Sequence, residues 1–412
     1  RADIRVADGV ICPPFFDDHI HIPQHPIRGR FMEGIGPNPD GGRLIAGLNR
    51  NVFPTEAKCS DESYTRDVVR TFLADTLAHG VLGGSAYMTV HTAATRIALE
   101  MLPSSWSVGL VMMNQNCPAY FRTDEANFER DAEALARDFA RRFIPTDRFA
   151  VACDSQLRKR GVRIAVKHKL RMQTHLNEQL PEKHFVEQQL YPGTRYTDVY
   201  ARDGELGCNA ILAHCVHNPD PELETIARCG AVIAHCPTSN TLLGSGIMPL
   251  DAVIEHGIDY AICTDVGASP TTSILCEMAQ FLKVHAGRSK RATPSEALYR
   301  STRGAARMMG LEDQFGALEV GRPMSFVEIE CSDDDLSGSS IDEVVLRALL
   351  DLSPLELNGY GDFRVAFDRL HQGNLDTGTE LELLTADVTR TAALLDSKVR
   401  RVTLAGQPAW PG

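Results

Sequence analysis

The chain has 412 residues, 43% of them hydrophobic and 23% charged, with a formal charge of −12. That length allows one large core plus a smaller appendage, and the acidic balance argues against a nucleic-acid backbone as partner. No apolar run approaches the ~20 residues that span a bilayer, and eleven cysteines without a C-x-x-C pair fit reduced thiols in a cytoplasmic protein better than a disulfide scaffold.

In chain order, "RADIRVADGV" precedes the first strand, with Arg at position 1 and no signal-peptide pattern. Strands are predicted near 11–17, 81–87, 108–113, 148–153, 170–175, 209–214, 231–235 and 259–265. Helical patterns lie between them. "SDESYTRDVVRTFLADTLAHG" opens on an N-cap-like Ser60 and closes at Gly80. "DEANFERDAEALARDFARRF" carries apolar residues three to four apart. "TSILCEMAQFLKVHAG" and "PSEALYRSTRGAARMMG" end in glycine, as helices often do. Eight strands alternating with helices predict an α/β fold, a parallel (β/α)8 barrel over 13–315. Beyond 315, "FGALEVGRPMSFVEIE" reads as short strands around a Gly turn and "CSDDDLSGSSIDE" as a solvated loop. A helical stretch near 341–352 and a strand-like end, "VRRVTLAGQPAW", follow. Residues 1–12 and 316–412 are assigned to a small β domain with C-terminal helical and strand segments.

In an α/β barrel, chemistry sits at the C-terminal ends of the strands. His19 and His21 in "FFDDHIHIPQH" are two apart, and strand residues at that spacing share a face. His175 ends the fifth predicted strand, His214 the sixth, His235 the seventh and Asp265 the eighth. One such histidine is usually structural; the repetition points to a site. Zinc takes about four N, O or S ligands and keeps a position for water when catalytic. His19, His21, His175 and Asp265 supply three imidazoles and a carboxylate. Glu178 stands in H-x-x-E, where it can exchange a proton with a metal-activated water; its bland alternative is a carboxylate favoured at a helix N-terminus. His25 is read as solvated or supporting the site from behind, His217 as a helix-start residue, Cys236 as a thiol with no cysteine spaced to share a metal, and the Met308–Met309 pair as packing.

These segments resemble the metal-dependent amidohydrolase superfamily, and within it the guanine deaminase-like branch. The matching pieces are "FFDDHIHIPQ", "NVFPTEA", "DRFAVAC", "THLNEQ", "LAHCVH", "AHCPTSNTLLGSGIMPL" and "CTDVGAS", in that order across roughly residues 11–330. The resemblance implies a distorted (β/α)8 barrel with a small β-sandwich made from both chain ends, and here the N-terminal part of that sandwich is expected to be truncated. It implies one zinc, or iron, held by His19, His21, His175 and Asp265. Glu178 is then the proton shuttle, His214 contacts the activated water or the tetrahedral centre, and Asp265 also orients the water. The end of the fourth predicted strand, "RFAVAC", has no lysine, which favours one metal over two. Gln24, Arg148 and Phe149 match residues that hold the purine.

Three departures stand out. Gly47 takes the place of a tryptophan and predicts a wider pocket with less stacking area. Asp147 replaces a proline, and Ser325 replaces an aspartate in the small domain. The activity implied is hydrolytic deamination of guanine to xanthine and ammonia, in a cytoplasmic enzyme with a small-molecule substrate and no nucleic-acid or membrane partner. A homodimer is allowed. Within the class, a pterin, 8-oxoguanine or a triazine is the rival substrate. From another class, a non-catalytic protein on the same scaffold is the remote rival. A zinc nucleobase editor would carry H-x-E with P-C-x-x-C, which is absent.

Overall fold

The computed structural model describes residues 9–36, 42–353, 368–369 and 377–410. A short strand β1 (Gly9–Cys12) leads into β2 (Phe15–His21), the first of eight parallel strands. The others are β3 (Val81–Tyr87), β4 (Trp106–Met112), β5 (Phe143–Asp147), β6 (Gln173–Leu176), β7 (Ile211–His214), β8 (Val232–His235) and β9 (Tyr260–Ile262), neighbours in sequence order. Helices separate them, so the strands are covered on both faces; β2, β3 and β4 are buried at every position. The barrel seam is closed just past β9. Asp265 N donates to His19 O at 3.0 Å and His21 N donates to Val266 O at 2.8 Å. β2 and β3 approach closely at Gly84, where φ is +148° and a Cβ would fall 1.8 Å from Asp17 O; only glycine fits there.

The fourth barrel strand is Phe143–Asp147, not the apolar run 148–153 that the sequence suggests. That run is a buried turn. Ala152 N and Cys153 N both donate to Phe149 O, and Ala150 N donates to the hydroxyls of Tyr196 and Tyr200. Its apolar character serves packing, while the true strand contains Pro145 and so reads poorly as one. Asp147 takes one side of a buried ion cluster. Arg158 lies 2.6 Å from Asp147 and 2.7 Å from Asp203, all three side chains fully buried.

The first long helix is Glu62–Ala78, and its cap is Asp61 rather than Ser60: the Asp61 carboxylate accepts from Tyr64 N at 2.9 Å. The stretch after 294 forms two helices, Pro294–Ser301 and Arg303–Met308, broken at Thr302. A second, antiparallel sheet has the order β1, β10 (Phe326–Glu330), β11 (Val399–Leu404), β12 (Gln407–Trp410). One strand, β10, stands where several were expected. Ser325 Oγ accepts from Ala405 N at 3.0 Å, tying β10 to the turn after β11. Residues 1–8, on which the expected truncation rests, lie outside the described residues. The helix Thr377–Leu395 packs on the barrel helix Ile274–His285, where Lys283 Nζ reaches Asp387 at 2.8 Å and Thr391 at 2.7 Å. All eleven cysteines are free thiols. Among the described residues no helix is long and apolar enough to cross a membrane.

Candidate active site

Four strands deliver the clustered side chains. His19 and His21 share one face of β2, His175 lies on β6, His214 ends β7, and Asp265 follows β9. His19 Nε2 and His21 Nε2 each lie 3.2 Å from Asp265 Oδ1, and His175 Nε2 lies 3.3 Å from His21 Nε2. His19, His175, His214 and Asp265 offer donor atoms that all fall within 4.8 Å of one another. The backbone is bent to achieve this. His214, Cys215 and Asp265 have φ of +71°, +48° and +55°, a conformation that costs a non-glycine residue about 1–2 kcal/mol.

Second contacts fix the rings. His175 Nδ1–H donates to Arg148 O at 2.7 Å, and His214 Nδ1–H donates to Asn240 Oδ1 at 2.9 Å. In that tautomer each Nε2 turns its lone pair to the cluster. Among the described residues, Nδ1 of His19 and Nε2 of His214 are buried without a hydrogen-bond partner. Burial pushes His21 down to about 3, His214 down to about 4, and His175 well below the ordinary range. Neutral imidazole is the form that ligates. Burial would raise Asp265, yet contacts with His19 and His21 hold its carboxyl well below the usual range. Converging neutral imidazoles with one carboxylate are the donor set of a divalent ion.

Glu178 follows β6 on a loop turned by Asn177, whose φ is +51°. Its Oε1 accepts from Ser245 Oγ at 3.0 Å, and its Oε2 lies 3.6 Å from His214 Nε2. Burial, reinforced by the charges of Glu182 and Asp265, pushes its pKa well up. The cluster forms the floor of a narrow cavity of about 20 Å³, to which Gln24, Arg148 and Phe149 also contribute. The remaining wall is apolar: Phe31, Leu44, Leu48 and Leu243.

Two residues that sequence reasoning passed over hold this arrangement. Glu56 is fully buried; its carboxylate accepts from Arg148 Nη1 at 2.9 and 3.1 Å and from Gln24 Nε2 at 2.8 Å. A carboxylate inside the apolar "NVFPTEA" was the available signal, since a buried charge needs a partner. Tyr87, at the end of β3, packs its ring 4.9 Å from His19, 4.6 Å from His21 and 5.0 Å from His175. Its position at the end of a strand was the hint. His25 is turned to Asp75 at 2.7 Å, His217 binds Ser245 O at 2.7 Å, and His235 faces His285 at 3.1 Å. The widening expected at Gly47 does not occur. The Phe31 ring lies against that glycine, so close that a Cβ there would sit 2.2 Å from Phe31 Cε1.

The pattern of the Amidohydrolase family matches residues 10–347. The chain belongs to the amidohydrolase family. This amidohydrolase is 30% identical over 390 residues to guanine deaminase of Escherichia coli (strain K12), a match covering 89% of this chain and 85% of that one. Guanine deaminase of Rattus norvegicus is 29% identical over 327 residues, covering 75% and 70%. Among solved structures, E. coli guanine deaminase superposes with a TM-score of 0.77 at 26% identity, over 98% of this chain and 85% of that one. Guanine deaminase from C. acetobutylicum, solved with guanine in its active site, gives a TM-score of 0.75 at 24% identity over 98% and 88%, a likeness of fold. As an amidohydrolase the chain is a hydrolase acting on C–N bonds, and it carries a His/Asp cluster of metal-binding type.

Proposed function

We propose that the chain deaminates guanine to xanthine and ammonia, with one zinc held by His19, His21, His175 and Asp265. The observation that carries this reading is the meeting, in one narrow cavity, of the His/Asp cluster, a buried Glu178 and the Gln24–Glu56–Arg148 set. The ion, when bound, lowers the pKa of a water so that hydroxide is available near neutral pH.

The rest is the work of side chains. Arg148 and Gln24, pinned by Glu56, offer their remaining N–H groups to the oxygen at C6 and the purine edge. Phe149 gives one face of the ring a surface to lie on. The water oxygen adds to C2, the carbon bearing the amine. Glu178 takes the proton released and passes it to the adjacent ring nitrogen, N3. Asp265, held ionised, keeps the attacking oxygen oriented and accepts its second proton. That proton then goes to the amine, the C2–N bond breaks, and ammonia leaves. Adenine carries an amine at C6 instead of an oxygen, so the N–H groups of Arg148 not already bound to Glu56 would face a donor and be left without an acceptor. Such mismatches are discriminated by about 10⁴-fold.

A second reading of His214 is favoured by its unpartnered Nε2 and its place within the 4.8 Å set: it joins the metal ligands rather than facing the reacting carbon. Metal analysis of His214→Asn separates the two, because loss of metal makes it a ligand and retention leaves it at the substrate. The main reading is tested by incubating zinc-loaded protein with guanine and measuring ammonia and xanthine. We expect stoichiometric release of both. Absence of ammonia from guanine, with turnover of a pterin, 8-oxoguanine or a triazine, would remove the guanine assignment and leave the deaminase.

A further inference from the structure

The cavity has two kinds of surface, and they differ in how firmly they are held. Its polar floor is fixed by hydrogen bonds: Gln24 and Arg148 to Glu56, Glu178 to Ser245, His175 to Arg148 O. Its apolar wall has no such anchors on its side chains. The cavity is narrow, about 20 Å³, and its apolar side chains are the part free to adjust to a fused ring. Selection by ring size therefore falls to the wall.

One wall residue has its place set from behind. Phe31 is 5% exposed and lines the cavity. Its ring lies on the backbone of Gly47, where a Cβ would stand 2.2 Å from Cε1 and 2.5 Å from Cδ1. The contact is further fastened by Asn51 Nδ2, which donates to Phe31 O at 2.8 Å and to Glu33 O at 3.0 Å. Gly47 is not in a left-handed conformation, so backbone freedom does not explain the glycine. Room for the ring does.

We propose that Phe31, seated in the notch left by Gly47, is the specificity-determining wall of the cavity and sets the ring size accepted. The proposal rests on the guanine reading above. The seat lets the aromatic face withdraw far enough for a purine, while the ring itself keeps out two fused six-membered rings. Any side chain at position 47 drives the ring forward into the slot.

The test is a set of four proteins, wild type, Phe31→Ala, Gly47→Ala and the double variant, assayed for kcat/KM on guanine and on pterin, with thermal melting as a control for folding. Phe31→Ala should raise KM for guanine roughly tenfold, the worth of one aromatic–base contact, and shift the guanine-to-pterin ratio at least tenfold toward pterin. Gly47→Ala should lower kcat/KM on guanine about tenfold or more in the presence of Phe31, and by less than about threefold in its absence, because the clash partner has gone. A Phe31→Ala protein that melts like wild type with a ratio within threefold overturns the proposal. So does a Gly47→Ala effect of equal size in both backgrounds. If the single variants fail to fold, the double variant still reports the ratio, and an unchanged ratio there also overturns it. A wild-type protein that releases no ammonia from guanine instead overturns the guanine reading, and this inference with it.

Discussion

In the proposed reaction Glu178 holds a proton and hands it on, and its surroundings suit that task. It is 1% exposed, close to two other carboxyls, and its carboxylate accepts a hydrogen bond from Ser245. Glu178→Gln keeps the shape and the Ser245 contact but cannot take a proton from water. We expect metal content and melting temperature close to wild type and a fall in kcat of about 10²–10⁴-fold; a variant within threefold of wild type removes the role. Glu56 makes a different prediction. Glu56→Ala leaves Arg148 buried without its counter-ion, which costs about 3–5 kcal/mol, so denaturant unfolding should show the loss directly. At this scale the histidines, Asp265 and Glu178 could be read from the sequence because each lies at or just past the C-terminal end of a strand, and those ends of a barrel face one mouth. Glu56 and Phe31 could not. Their positions depend on which loops meet across the mouth, and no local spacing encodes that. Tyr87 ends a predicted strand, but an aromatic ring there reads as packing.

Among the elements, the short helix Leu180–Phe185 behind Glu178 ties loop to site. Glu182 Oε2 accepts from Glu178 N at 3.2 Å and Gln179 N at 3.1 Å, and burial pushes its pKa from an ordinary 4.5 up to about 7. The sign follows from linkage. A folded state that binds the proton more tightly than the unfolded chain gains from it in full below 4.5 and loses that gain as pH rises to about 7. In Glu182→Gln the amide oxygen still accepts both bonds and nothing titrates. The melting temperature of the variant should therefore climb relative to wild type between pH about 5 and about 8; a constant difference across that range would show that Glu182 does not titrate there. Strands β3 and β8 lie within a residue of their predicted places because each is a short apolar run bounded by turns. β5 escaped for the opposite reason. It carries Pro145 and a charged end, while the more apolar run beside it is wanted as packing under Tyr196 and Tyr200.

For the molecule as a whole, the proposed function makes the His/Asp cluster a stabilising device as well as a catalytic one. An ion bound only by the folded state, at a thousand times its dissociation constant, adds roughly 4 kcal/mol. Removal by a chelator should lower the melting temperature by about 5 °C or more, and zinc should restore it. Retention of the full melting temperature after metal has been shown to leave would separate the cluster from stability. The layered architecture was legible in the alternation of strands and helices. The lodging of the helix Thr377–Leu395 against Ile274–His285 was not, since it depends on a pairing of Lys283 with Asp387 more than a hundred residues away.

The seam of the barrel also governs when the enzyme comes into being during synthesis. The backbone bonds His19–Asp265 and His21–Val266 join β2 to the residues after β9, beside the side-chain bonds of Asp17 to Thr264, and three of those backbone partners belong to the cluster. A nascent chain that has not yet emerged past Asp265 therefore has histidines but neither their carboxylate nor a closed cylinder to aim them. It cannot begin its chemistry early or hold an ion in the finished arrangement. Closure of the fold and birth of the catalyst are one event, and they arrive with the same few residues.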